Sequence, residues 1–178
     1  MLRRLALAAP GLIIGLWLSP LTGKAEPGKA EQGLPKLPTP DKVLVLKNQR
    51  LLILMKGSQK LKEYRIALGG DPVGPKVREG DHKTPEGLYV LDRRNPSSKF
   101  YKSIHISYPE AKDRIQAAKL GVAPGGDVMI HGLPNGFGWI GSLHRSRDWT
   151  DGCIAVTDLE MDEIWHAVPG GTPIEIKP

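Results

Sequence analysis

Two short segments hold the residue types that could do chemistry together. Cys153 lies in Asp148-Trp149-Thr150-Asp151-Gly152-Cys153-Ile154-Ala155-Val156 and is the only cysteine of the chain; upstream stands Ile130-His131-Gly132. A single thiol forms no internal disulfide, so it is either a bridge to a second chain or a free, reactive group. Cysteine acyl transfer needs a thiolate to attack a carbonyl, a base to take its proton, and donors for the oxyanion. Cys153 supplies the sulfur and His131 is the leading base. Gly132 and Gly152 are the backbone positions beside them, and the amides around Gly152 and Cys153 are candidate oxyanion donors. A buried structural thiol is the competing reading of Cys153. A metal site of His131, His144 and Cys153 matches no standard zinc spacing, and cysteine acyl transfer needs neither a metal nor an organic cofactor.

The residues between the pair offer secondary candidates. His144 either lines the site or is a solvated loop histidine. Arg145 and Arg147 are suited to gripping a carboxylate with paired N–H donors, or are simply hydrated. Asp151 orients a histidine, tunes the thiol, or stabilises its own turn. Trp149, with Trp139, shapes a cleft or packs as a lid.

The elements that must position these groups read as mainly β. Val43–Leu46 and Leu51–Met55 are apolar runs joined by Lys47-Asn48-Gln49-Arg50, a hairpin pattern. Tyr64–Leu68, Leu88–Leu91, Ser103–Ser107, Val128–Ile130, Cys153–Val156 and Pro173–Ile176 are further strand candidates. In Ser103–Ser107, polar residues alternate with Ile104 and Ile106, the period of a half-buried strand. Pro109–Leu120 predicts a helix with Ala111, Ile115, Ala118 and Leu120 as its apolar stripe and Gly121 as its stop. Thr157-Asp158-Leu159-Glu160 is a capping box, which starts a second helix running to about His166. Residues 132–141 read as a glycine-rich loop. No βαβ alternation is present that would indicate a doubly wound sheet.

Residues 1–25 read as an export signal: Arg3 and Arg4, then apolar Leu5–Leu18, then small residues up to Ala25. The run is short for a bilayer span, so a membrane tether arises only if the signal stays uncleaved. Residues 26–41, with Pro27, Pro35, Pro38 and Pro40, read as a linker. Residues 42–178 fall within the size of one domain. The formal charge of +6 includes Arg3, Arg4 and Lys24, so the mature chain stands near +3. No basic stripe interleaved with aromatics is present, which argues against a nucleic-acid partner.

With these residues in view, the sequence resembles the L,D-transpeptidase catalytic domain family, also called the YkuD domain. His131-Gly132 matches that family's His-Gly, and Thr150-Asp151-Gly152-Cys153-Ile154 its Ser/Thr-His-Gly-Cys segment. Lys42–Lys56 resembles its opening hairpin, and Asp81-His82-Lys83-Thr84-Pro85-Glu86-Gly87 its Thr-Pro-x-Gly stretch. Two departures stand out: Asp151 replaces the usual histidine, and Ala155 a frequent arginine. The resemblance implies a β-sandwich or barrel with one or two helices. It implies attack by Cys153 on a peptidoglycan stem peptide, loss of D-alanine, and resolution of the thioester by an amine. Hydrolysis on the same scaffold is the alternative, and a non-catalytic wall-binding module a more distant one. A monomeric periplasmic or envelope protein is the accompanying expectation.

Overall fold

The computed structural model describes residues 37–178. The expected signal, and all but the end of the expected linker, lie outside the described residues. Eight strands form one sheet: β1 (Lys42–Leu46), β2 (Leu51–Lys56), β3 (Gln59–Arg65), β4 (Gly87–Ser98), β5 (Tyr101–Ile106), β6 (Val128–His131), β7 (Ile154–Ala155) and β8 (Thr172–Lys177). Their order is β3-β2-β1-β8-β4-β5-β6-β7. Most neighbours are antiparallel, but β1 runs parallel to β8 and β6 parallel to β7. Beyond β3 the chain crosses to the far edge, where Ala67 bridges Ala155. The sheet thus curls until its two ends meet, the barrel-like form that the family resemblance implies.

Alternation decides which residues fill the interior. Val43, Val45, Leu52, Leu54, Ile104, Ile106, Val128, Ile130, Ile154, Ile174 and Ile176 all point into one apolar cluster, and Met161 and Ile164 cover it from helix α2 (Asp158–Ala167). Thr157 caps that helix by accepting from the Glu160 amide while the Glu160 side chain returns to Thr157, so the capping box forms as read.

Several local expectations shift. The third strand lies earlier than Tyr64–Leu68, because Gly57, at φ +56, turns the chain directly after β2. Ile66 and Leu68 are still buried, as part of the closing crossover. The first helix, α1 (Ala111–Lys119), buries Ala117 rather than the expected stripe; Ile115 and Leu120 are exposed. Its stop at Gly121, φ +69, is as expected. The glycine-rich loop winds into 3-10 turns over Gly138–Ser146, kinked at Gly141. β7 is only two residues long, so Cys153 stands immediately before it rather than inside it.

Candidate active site

Parallel pairing of β6 with β7 brings the two chemical landmarks together. Ile130 lies opposite Ile154 and His131 opposite Ala155. Both isoleucines enter the core, so alternation sends His131 and Cys153 to the other face. Cys153 falls beside Met129, two residues before His131. Strand spacing and rise then set the Cβ atoms of Cys153 and His131 about 8 Å apart. That leaves room for a thiol and an imidazole to converge over the strands. On β5, Ser103 stands opposite His131 and His105 opposite Met129. A cavity of about 470 Å³ covers this face, with His131, Cys153, Phe100, Asp127, Trp149 and Asp151 in its wall.

His131 is 4% exposed. Its Nδ1 lies 2.6 Å from the Gly132 carbonyl oxygen. A carbonyl only accepts, so Nδ1 carries the proton and Nε2 holds the free lone pair. Phe100 packs on the ring at 4.6 Å between centroids, and Trp149 meets it edge-on at 5.8 Å. Burial lowers the His131 pKa, against a smaller opposing effect of the Gly132 carbonyl, so the ring is neutral at neutral pH.

The Cys153 turn is fixed from both sides. Thr150 Oγ1 donates to the Cys153 carbonyl at 2.7 Å and accepts from the Gly152 amide at 3.1 Å. The Trp149 and Thr150 amides donate to Leu68 O, and Gly70 N donates back to Thr150 O. Asp148 receives a forked pair of bonds from Arg50 and one from the Leu68 amide. Burial pushes the Cys153 thiol up, reinforced by Asp151 and Asp127; the Met129 amide and the Lys76 ammonium oppose this. The resting sulfur is therefore a thiol.

The secondary candidates separate. Asp151 lines the cavity, and its Oδ1 accepts from His82 Nδ1 at 2.8 Å. Trp149 lines the cavity and, on its other side, a neighbouring one of about 300 Å³ walled by Leu133, Phe137, His144 and Arg147. His144 and Arg147 therefore face Trp149 rather than Cys153. His144 is buried, its Nδ1 accepting from the Trp149 indole at 3.4 Å, and burial lowers its pKa to about 4. Arg145 is paired with Glu160. Gly132 donates its amide to Lys102 O, and a Cβ there would strike Asp158 and Tyr101, so its carbonyl is the part that serves His131.

A second cavity, about 330 Å³, also opens on Cys153, walled by Lys76, Glu79, His82, Asp127 and Asp151. Lys76 and Phe100 carried no recognisable signal in the sequence. Ser103 did, as the polar member of an alternating strand. Among the described residues no cluster of three or more His, Cys, Asp or Glu is arranged to hold a metal.

The sequence profile of the L,D-transpeptidase catalytic domain, YkuD, matches residues 40–176. YafK of Escherichia coli K12, a protein assigned L,D-transpeptidase activity only provisionally, is 36% identical over 115 residues, covering 63% of this chain and 39% of that protein. The chain thus spans about two fifths of the length of this curated relative. Among solved structures, the helical cell shape determining protein Pgp2 of Campylobacter jejuni is similar at a TM-score of 0.58 and 28% identity, covering 76% of this chain and 46% of that one. Bd1075 of Bdellovibrio bacteriovorus is similar at 0.52 and 28%, covering 78% and 48%.

Proposed function

Since this chain belongs to the L,D-transpeptidase catalytic domain family, we propose that it is an exported cysteine acyltransferase of the cell envelope that acts on peptidoglycan stem peptides. Residues 42–178 are the catalytic domain in this reading, residues 1–25 the signal that exports it, and residues 26–41 the linker. The enzyme works as a monomer. The observation that carries the proposal is the cavity shared by Cys153 and His131, with the imidazole held neutral and its Nε2 unprotonated.

His131 Nε2 takes the thiol proton as Cys153 Sγ attacks the stem-peptide carbonyl. General-base assistance of this kind contributes typically about 10²–10⁴-fold. The oxyanion is received by the Cys153 amide, because the Gly152 amide is already bonded to Thr150. The protonated His131 then gives its proton to the departing amine of D-alanine, leaving a Cys153 thioester. An amine acceptor resolves it with a new crosslink. Trp149 and Asp151 contact the bound peptide; His144 and Arg147, across Trp149, touch only its outer reach.

Hydrolysis is the second reading. Asp151, in place of the family's usual histidine, and the polar second cavity on Cys153 favour admission of water. Pgp2, similar at 28% identity, is a helical cell shape determining protein. The test is mass spectrometry of residues 26–178 incubated with defined tetrapeptide muropeptides, with Cys153→Ala in parallel. Loss of D-alanine with a new crosslink, absent from the variant, supports the transpeptidase. Shortened products without incorporated acceptor support the hydrolase. No turnover and no adduct on Cys153 would reject both and leave wall binding.

A further inference from the structure

The polar cavity holds a second imidazole that the acylation step does not use. His82 comes from a different segment, yet it shares this cavity with Cys153 and Asp151. Its Nδ1 meets Asp151 Oδ1 at 2.8 Å. An ionised carboxylate only accepts, so Nδ1 is the protonated nitrogen and Nε2 the basic one. The arrangement repeats that of His131 on Gly132: an anchored Nδ1–H and a free Nε2, with the same sulfur in the wall.

The segment around His82 is built to stay where it is. His82 takes φ +53, a left-handed backbone that non-glycine residues hold only where their surroundings enforce it. The His82 carbonyl receives the Asp71 amide at 3.0 Å and lies so near Gly69 that a Cβ there would stand 2.1 Å away. One residue before, the Asp81 side chain is 6% exposed and bonded to Lys76 Nζ and to the amides of Val77, Arg78 and Lys83. One residue after, the Lys83 carbonyl abuts Gly152. The His82–Asp151 pair itself is solvent-exposed, and exposed pairs contribute little stability. Fold stability does not account for a constrained histidine at this position, whereas a proton acceptor in the wall of a Cys153 cavity does.

We propose that His82, oriented by Asp151, is the base of the second half-reaction, activating the amine or water that reaches the Cys153 thioester through the polar cavity. This rests on the acyl-transfer reading above. The incoming nucleophile attacks the thioester carbonyl carbon, its proton passes to His82 Nε2, and the C–S bond breaks. The Cys153 thiolate that leaves is reprotonated from solvent as His82 releases its proton. His131 serves acylation and His82 resolution, each from its own cavity.

The test loads Cys153 with an acetyl group from p-nitrophenyl acetate and follows loss of the adduct by intact mass, so no wall substrate is involved. His82→Asn suits the left-handed backbone and removes the base. It is expected to slow loss of the acetyl group at least tenfold while changing acetylation less than twofold; Asp151→Asn slows loss about threefold to tenfold. Added imidazole should restore the rate in His82→Ala and not in wild type. Equal rates of loss in wild type and His82→Asn, parallel slowing of both steps, or no imidazole rescue would overturn the assignment. Failure of stem peptides to acylate Cys153 in a protein whose acetyl-enzyme still depends on His82 would sink the substrate reading and keep the base.

Discussion

Gly152 and the Lys83 carbonyl meet so closely that a Cβ at position 152 would stand 2.5 Å from that oxygen. Gly152 also sits at φ +129, where side chains are strained whatever the space. The glycine before the cysteine thus lets two loops touch backbone to backbone, fixing the nucleophile against the segment that carries His82. Gly152→Ala is expected to cost about 2–4 kcal/mol in urea unfolding and to remove acylation of Cys153. A variant with unchanged midpoint and full adduct formation would contradict this close approach.

Cys153 and His131 should report different protonation behaviour. Burial raises the thiol pKa above its ordinary value of 9.0, so alkylation of the resting protein by iodoacetamide rises with a midpoint above pH 9. Burial lowers the His131 pKa below 6.5, so the neutral base persists as pH falls through 6.5. Acylation by substrate should therefore remain substantial at pH 6, where alkylation is slow. His131→Gln should lower acylation by about 10²–10⁴-fold and leave the high alkylation midpoint. An alkylation midpoint near 7 would instead mean a preformed thiolate.

The site was legible where chemistry is tied to residue type and to strand period. A lone cysteine after glycine and a histidine at a strand end stand out by residue type, and the alternation of Ser103–Ser107 already places three polar residues on one face. Asp151 was open among three roles because its partner, His82, comes from a loop placed only by tertiary packing. His144 looked close to Cys153 in sequence, but the kinked 3-10 turns carry it behind Trp149. The apolar stripe of α1 failed for a related reason: the sheet's core is filled by the strands and α2, and α1 buries only Ala117.

His144 should make the protein acid-sensitive. Its pKa falls from 6.5 to about 4, chiefly through burial, with Arg145 adding to the effect. Between those values the unfolded chain binds a proton that the folded chain does not. Stability is then fully present above pH 6.5 and is lost as pH falls towards 4, by roughly 2–3 kcal/mol. His131, lowered in the same direction, adds to the slope. Urea midpoints from pH 7 to pH 4 should show this decline, and His144→Gln should flatten it. An equally steep decline in the variant would assign the effect elsewhere.

Lys47 is the remote support of the second cavity. It is 2% exposed, and its ammonium group donates to Gly74 O, Thr84 O and Glu86 Oε1 at 2.6, 2.9 and 2.7 Å. These three contacts bracket the chain from Gly74 to Glu86, which includes His82. Lys47→Met keeps much of the apolar stem but leaves the Glu86 carboxylate without its cation, a loss of about 3–5 kcal/mol. Lys47→Met with Glu86→Leu removes both charges and should recover most of it. Limited proteolysis between residues 74 and 86 should accelerate in the single variant before global unfolding does. Turnover should fall at both half-reactions, because the clamped segment carries His82 and its Lys83 carbonyl braces Gly152 beside Cys153. A single variant as stable and as protease-resistant as wild type would mean that the segment is held by Asp81 and Lys76 alone.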